Sequence, residues 1–351
     1  MVGYPVLVGD IGATYLRLAS VSGPQAEPVL IGRVETRDFQ TLADALTRLL
    51  STGQGPFHQV RFQAAAFGVA GRVRGPVVRL TNSPWTIDPE DIGKQLGIER
   101  ISVMNDYPPV AAALNSFHLS PAEELAAIDG PSSGDLGPRV VFGPGTGLGA
   151  AAIRHMPGGC RVLEPTEAGH TEFGACEAED FPVWEQLERA HGRITAESVL
   201  SAPGLLRLHR AVSKTHKSSD ELATPPDVTR AAARGDEFAR RTLALYSRLL
   251  GRFAGDLALI FGATGGVYIS GRLASHIIGV LREGAFRIAF ESKAPFSEYM
   301  KAIPTFVITH PEPTLRGLAV IVAARSEFSC DGIEWTSGAR KSSPAVPSQR
   351  P

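Results

Sequence analysis

The chain has 351 residues, 43% hydrophobic and 20% charged, enough to bury a large core and divide into two lobes. A net charge of −1 without a long Lys/Arg run gives no global pull toward nucleic acid or anionic lipid. Three scattered cysteines (Cys160, Cys176 and Cys330) make neither a disulfide framework nor a paired metal motif.

Met1-Val2-Gly3-Tyr4-Pro5 lacks the basic and apolar regions of a signal peptide. No apolar run reaches the ~20 residues that cross a bilayer. A cytoplasmic protein without nucleic-acid or membrane partners is therefore expected. Residues 5–9 read as a buried strand and residues 15–21 as an alternating one. The turn Asp10-Ile11-Gly12-Ala13-Thr14 joins them into a hairpin. Residues 41–50 carry Leu42, Ala45, Leu46 and Leu49 at helical spacing. Two further apolar strands, 64–69 and 101–104, follow, the second running into Asn105-Asp106. Residues 116–139 form a polar, Gly/Ser/Pro-bearing connection that marks a passage between lobes. A second strand–glycine turn–strand unit spans residues 139–153, with Gly143-Pro144-Gly145-Thr146-Gly147-Leu148-Gly149 as its turn.

Residues 236–261 read as a long helix with Phe238, Tyr246, Leu249, Phe253, Leu257 and Ile260 on one face. Gly265-Gly266 ends it, and residues 267–270 form a strand. Residues 332–351, rich in Ser, Pro and basic side chains, lack periodicity and read as a mobile tail. Alternating strands and helices make an α/β protein. The two hairpins suggest weak internal symmetry, with a nucleotide held between two lobes.

Phosphoryl transfer needs positioning and charge neutralisation. Backbone N–H groups of a glycine turn can converge on phosphate because no Cβ keeps the ligand away. Gly145, Thr146 and Gly147 suit that task, as do Gly12 and Thr14. Asp10 could hold Mg²⁺ through its water shell. Each feature has an ordinary alternative: glycine for positive φ in a hairpin, and a turn-initiating Asp. Asp106, at a strand end, is placed to act as a base, although Asn105-Asp106 before Pro108-Pro109 also reads as a helix N-cap. Glu167, His170 and Glu197 offer acceptors and a donor for vicinal hydroxyls; a structural histidine and a solvated helix carboxylate are the plain alternatives.

In this order the motifs resemble the bacterial ATP-dependent glucokinases, within the hexokinase and actin-like ATPase superfamily. The resemblance runs from about residue 6 to residue 322. The Asp10–Thr14 turn is similar to the family's first phosphate loop and residues 143–149 to its second. Leu80-Thr81-Asn82-Ser83-Pro84-Trp85 is similar to its Thr-Asn-x-x-Trp segment near the sugar cleft. Residues 286–293, with Tyr299 and Ile303-Pro304, fit its C-terminal region.

The resemblance implies a two-lobe, actin-like (ribonuclease H-like) α/β fold with the active site in the cleft. It implies a small lobe of residues 1–116 plus about 308–327, and a large lobe of residues 117–307. Asn105, Glu167, His170 and Glu197 would bind sugar, and Asp106 would be the catalytic base. Asp10, Gly12, Thr14, Gly145, Thr146, Gly147 and Gly271 would serve ATP and Mg²⁺, with Asp10 reaching the metal through water. The implied reaction moves the γ-phosphoryl of ATP to the 6-hydroxyl of glucose, in a homodimer. A kinase for another hexose and a catalytically weak sugar-binding regulator are the alternatives.

Three positions depart from the family pattern. Ala13 stands where Gly is usual, so a positive φ there would cost ~1 kcal/mol. Tyr15 replaces a usual Asn, and Arg272 follows Ser270-Gly271 where a second Gly is usual beside the adenosine. The Cys-x-Cys-Gly-x-x-x-Cys zinc pattern of the related repressor/kinase (ROK) family is absent. With the first phosphate turn beginning within ten residues of Met1, a helix-turn-helix extension is not expected.

Overall fold

The computed structural model describes residues 3–52, 60–80, 85–116, 124–131, 135–189, 192–217 and 222–338. In chain order the strands are β1 (Val6–Ile11), β2 (Tyr15–Val21), β3 (Val29–Glu35), β4 (Ala64–Val69), β5 (Val78–Arg79), β6 (Thr86–Ile87), β7 (Arg100–Asn105) and β8 (Leu125–Ala127). Then come β9 (Arg139–Pro144), β10 (Leu148–His155), β11 (Arg161–Thr166), β12 (Gly266–Ile269), β13 (Thr305–Ile308), β14 (Phe328–Cys330) and β15 (Gly332–Thr336). One sheet has the order β15-β7-β4-β1-β2-β3, a second β14-β11-β10-β9-β12-β13-β8, and β5 with β6 makes a small ribbon.

The inner strands β1 and β4 are buried along their whole length, which explains the apolar runs at residues 6–9 and 64–69. Both expected hairpins are present, β1 with β2 and β9 with β10. Between the two sheets lie the helices Tyr107–Ala113 and Pro313–Ala323. Gly317 brings them together, since a Cβ there would overlap the Pro109 carbonyl. One apolar cluster joins Val6, Val8 and Ala66 of the first sheet to Val141, Ala151 and Ile153 of the second through Val110, Ala111 and Leu318. Each sheet therefore has its own outer core and shares this middle layer.

The long helix spans Glu237–Phe261, with Asp236 Oδ1 accepting the Ala239 N–H and Gly262 in the left-handed region as its stop. Its face differs from the expected one at both ends. Ile260 is 70% exposed and Phe238 only half-buried, whereas Thr242, Leu250, Ala254 and Ala258 join Tyr246, Leu249, Phe253 and Leu257 inside. Ala239 at one end and Leu259 and Phe261 at the other still pack on the core, so Phe238 and Ile260 fall to the side of the buried face.

The expected mobile tail is corrected at its start. Gly332–Thr336 form an antiparallel strand on β7, in register Gly332↔Met104 to Thr336↔Arg100. Ile333 and Trp335 alternate inward, and the Trp335 ring occupies the space that Gly93 leaves free of a Cβ. The remainder of that segment, 339–351, lies outside the described residues.

Candidate active site

Two glycine turns at the ends of two hairpins meet. Thr14 Oγ1 and Thr146 Oγ1, from turns 132 positions apart in sequence, are 3.3 Å from each other. The first turn is held by the Gly12 N–H donating to Tyr15 O and by Thr36 Oγ1 donating to Gly12 O. The second is held by the Gly145 N–H donating to Gly147 O and the Ala202 N–H donating to Gly145 O.

Positive φ does not explain these glycines: Gly12, Gly143, Gly145, Gly147 and Gly149 are absent from the left-handed region. Space explains three of them. A Cβ on Gly147 would lie 2.6 Å from Glu197 Oε2, and one on Gly143 or Gly149 would run into Tyr107. Ala13 is likewise outside the left-handed region, so the expected strain is not present. Gly271 does need its freedom, with φ 105° and a would-be Cβ 3.0 Å from the Pro144 carbonyl. Gly271 thus lies beside the second phosphate turn, and exposed Arg272 opens the helix that follows.

Asp10 lies in β1 itself and not in the turn, which removes the turn-initiating alternative. Cross-strand from it, Arg17 Nη1 donates to Asp10 Oδ2 at 2.6 Å, and Arg17 Nε lies 3.4 Å from Glu312 Oε2. Burial raises the Asp10 pKa, against the pull of the Arg17 guanidinium. Arg17 escaped the sequence reading, although the hairpin register alone places it opposite Asp10.

At the end of β7 the Asn105 side chain makes two bonds: Nδ2 donates to Gly71 O at 3.0 Å, and Oδ1 accepts the Tyr107 N–H at 3.0 Å. Asp106 occupies the N-cap position, yet its carboxylate makes no capping bond. Asn105 does that work and leaves Asp106 available. Burial, then the negative charge of Asp10, and to a lesser degree that of Glu167, push its pKa up to about 8.

Glu167 and His170 flank a short helical turn, both exposed, with Glu167 Oε2 3.9 Å from His170 Nε2. Glu197 sits in the first turn of the Ala196–Leu200 helix, whose N-cap Thr195 accepts the Ser198 N–H. Its Oε2 accepts the Leu148 N–H at 2.9 Å, so this expected sugar ligand also braces the second phosphate turn. Of the segment resembling the family's Thr-Asn-x-x-Trp, residues 81–84 lie outside the described residues; Trp85 is buried and donates to Phe39 O. Tyr107 is a site residue that the sequence reading missed. Its signal was the pair of glycines, Gly143 and Gly149, flanking the phosphate turn proper.

The arrangement offers a buried carboxylate that feels the charges of Asp10 and Glu167, and two glycine turns that meet through their threonines. A glucokinase family model matches residues 7–325. The chain is 39% identical over 336 residues to a glucokinase of Chelativorans sp. (strain BNC1), covering 95% of this chain and 96% of that protein. Its structure resembles that of a glucokinase from an Antarctic psychrotroph, with a TM-score of 0.75 and 27% identity, covering 90% and 98% of the two chains. It resembles in fold a ROK-family glucokinase from Streptomyces griseus, solved with glucose and AMPPNP, with a TM-score of 0.61 and 18% identity, covering 90% and 98%. The fold is thus the two-lobe actin-like ATPase fold. A family model spanning most of both sheets, together with a relative matched over nearly its whole length, places this chain in the glucokinase family.

Proposed function

We propose that this protein transfers the γ-phosphoryl group of ATP to the 6-hydroxyl of glucose, with Asp106 as the base. The observation that carries the reading is the meeting of Thr14 with Thr146 beside a carboxylate that makes no capping bond. Gly12, Thr14, Gly145, Thr146 and Gly147 hold the phosphates, and Gly271 lies along the adenosine. Asn105, Glu167, His170 and Glu197 hold the sugar. Asp106 accepts the 6-hydroxyl proton as the new O–P bond forms and the bond to ADP breaks. Closure of the small lobe (1–116 with about 308–327) over the large lobe (117–307) excludes water.

Mg²⁺ fits the donor set. Asp10 is a buried hard oxygen donor that would hold the ion through its water shell. Bound there, Mg²⁺ supplies neutralisation of phosphate charge. Use of ATP supports a cytoplasmic setting; among the described residues no helix is long and apolar enough to cross a membrane. A homodimer is in keeping with exposed Ile260, Ile288 and Phe296, and light scattering at two concentrations tests it.

The test is purified protein with Mg-ATP and glucose, reading glucose 6-phosphate directly. Turnover of roughly 1–100 per second is expected. Absence of product with glucose, but product with mannose, fructose or an amino sugar, would reassign the hexose. Sugar binding without turnover on any hexose would favour a regulator, a reading weakened by the relaxed backbone at Ala13.

A further inference from the structure

The helix that begins with Asp106 and Tyr107 packs on β9, β10 and β11 in one apolar cluster, to which it brings Val110, Ala111, Ala112 and Leu114, and the strands bring Val141, Ala151 and Leu163. Such a surface resists separation but sets the sliding position weakly, because dispersion and burial have no direction. Directional bonds stand at its two ends. Away from the cleft, Arg139 Nη1 donates to the Leu114 carbonyl at 3.3 Å. At the cleft, Tyr107 Oη donates to the Gly143 carbonyl at 2.9 Å.

Tyr107 is further enclosed. A Cβ on Gly143 would stand 2.5 Å from its hydroxyl, and one on Gly149 would overlap its ring. Both strands of the phosphate hairpin therefore lack side chains where this one ring lies, Gly143 at the end of β9 and Gly149 near the start of β10. The Tyr107 N–H is held by Asn105 Oδ1, so the backbone carrying the base is fixed at the same point.

We propose that Tyr107 is a positioning residue for phosphoryl transfer: its ring and hydroxyl lock the helix end bearing Asp106 to the hairpin that grips the ATP phosphates, so that base and donor keep one alignment. The inference rests on the function proposed above. It assigns Tyr107 no contact with substrate; the residue acts through the placement of Asp106 relative to residues 143–149.

Tyr107→Phe keeps the ring and removes the one bond. For that variant kcat should fall about tenfold or more, since small misplacements of reacting groups are costly. The glucose dissociation constant measured without nucleotide should stay at its wild-type value, and Tm should fall only by the few degrees that one lost hydrogen bond accounts for. The factor by which saturating glucose tightens binding of Mg-AMPPNP, measured calorimetrically, should shrink toward one, because the link between the half-sites is loosened. In an Asp106→Asn background, Tyr107→Phe should cost no further turnover, since the two act as a unit.

Wild-type kcat and wild-type coupling in Tyr107→Phe would overturn the proposal. So would an equal loss of turnover in the Asp106→Asn background, or parallel losses of Tm and glucose affinity, which would mark a merely structural tyrosine. Should Tyr107→Phe fold poorly, Gly149→Ala supplies the complementary test: its methyl displaces the ring, and the same loss of coupling at unchanged binary glucose affinity is required. A wild-type chain inactive on every hexose removes the functional reading and this one together; an active wild type with an unaltered Tyr107→Phe removes only this one.

Discussion

Asp106 holds its proton more tightly than a free carboxylate because it is buried and faces the charge of Asp10. A base must be ionised to work, so kcat/KM for glucose should rise with pH across neutrality and level off above about 8. The same shift has a stability sign. The folded pKa lies above the unfolded one, so between pH 4 and about 8 the folded chain holds a proton that the unfolded chain has lost. The ionised carboxylate thus costs stability increasingly as pH rises through that window. Asp106→Asn should therefore melt higher than wild type at pH 8, with the difference fading toward pH 5. A constant difference across that range would contradict the assigned cause. The variant should bind glucose yet lose roughly 10²–10⁴ in turnover; near-normal turnover would remove Asp106 from its role.

At the scale of the element, the second phosphate hairpin is braced from two sides, by Tyr107 on its strands and by Glu197 on its turn. Gly147→Ala places a methyl 2.6 Å from Glu197 Oε2 and should push that carboxylate off the Leu148 N–H. Separate titrations of Mg-AMPPNP and glucose should then show both bindings weakened, each by about tenfold, the worth of one charge-assisted bond. Loss of nucleotide binding alone would mean that Glu197 does not touch the sugar. This hairpin also marks what a sequence can display. Strand, glycine turn and strand are local, and so were legible at residues 6–21 and 139–155. The order of the Asp10, Asn105-Asp106, glycine-turn and Glu-x-Gly-His segments was legible too, through its resemblance to the family, since chemistry fixes the arrangement of such groups in space and not their order along a chain. The reason for the glycines was not: a glycine required for φ and one required for a neighbour's ring are the same letter. Tyr107 stayed hidden because its partners lie 36 residues away in sequence, and β15 because five alternating residues precede a composition typical of a tail.

For the whole molecule, the two sheets are joined by the middle helices and by the last described strands. Trp335 fills the gap over Gly93 and anchors β15, so Trp335→Ala should cost about 2 kcal/mol, below the value for a fully buried tryptophan. Chemical denaturation checks this; an unchanged midpoint would mean that β15 adds nothing to the first sheet. The path of the chain at this point has a mechanical consequence. β14 belongs to the second sheet and β15 to the first, with only Asp331 between them. One extended residue spans ~3.6 Å at most, so the two sheets cannot draw apart there. That crossing lies next to Met104, two residues before the base, and next to Leu163, four residues before Glu167. In the closure proposed above it would be a fulcrum set close to the chemistry. Parts of the lobes remote from it would swing on long lever arms, while the base and the Glu167 side of the cleft, on short ones, would hardly change their separation.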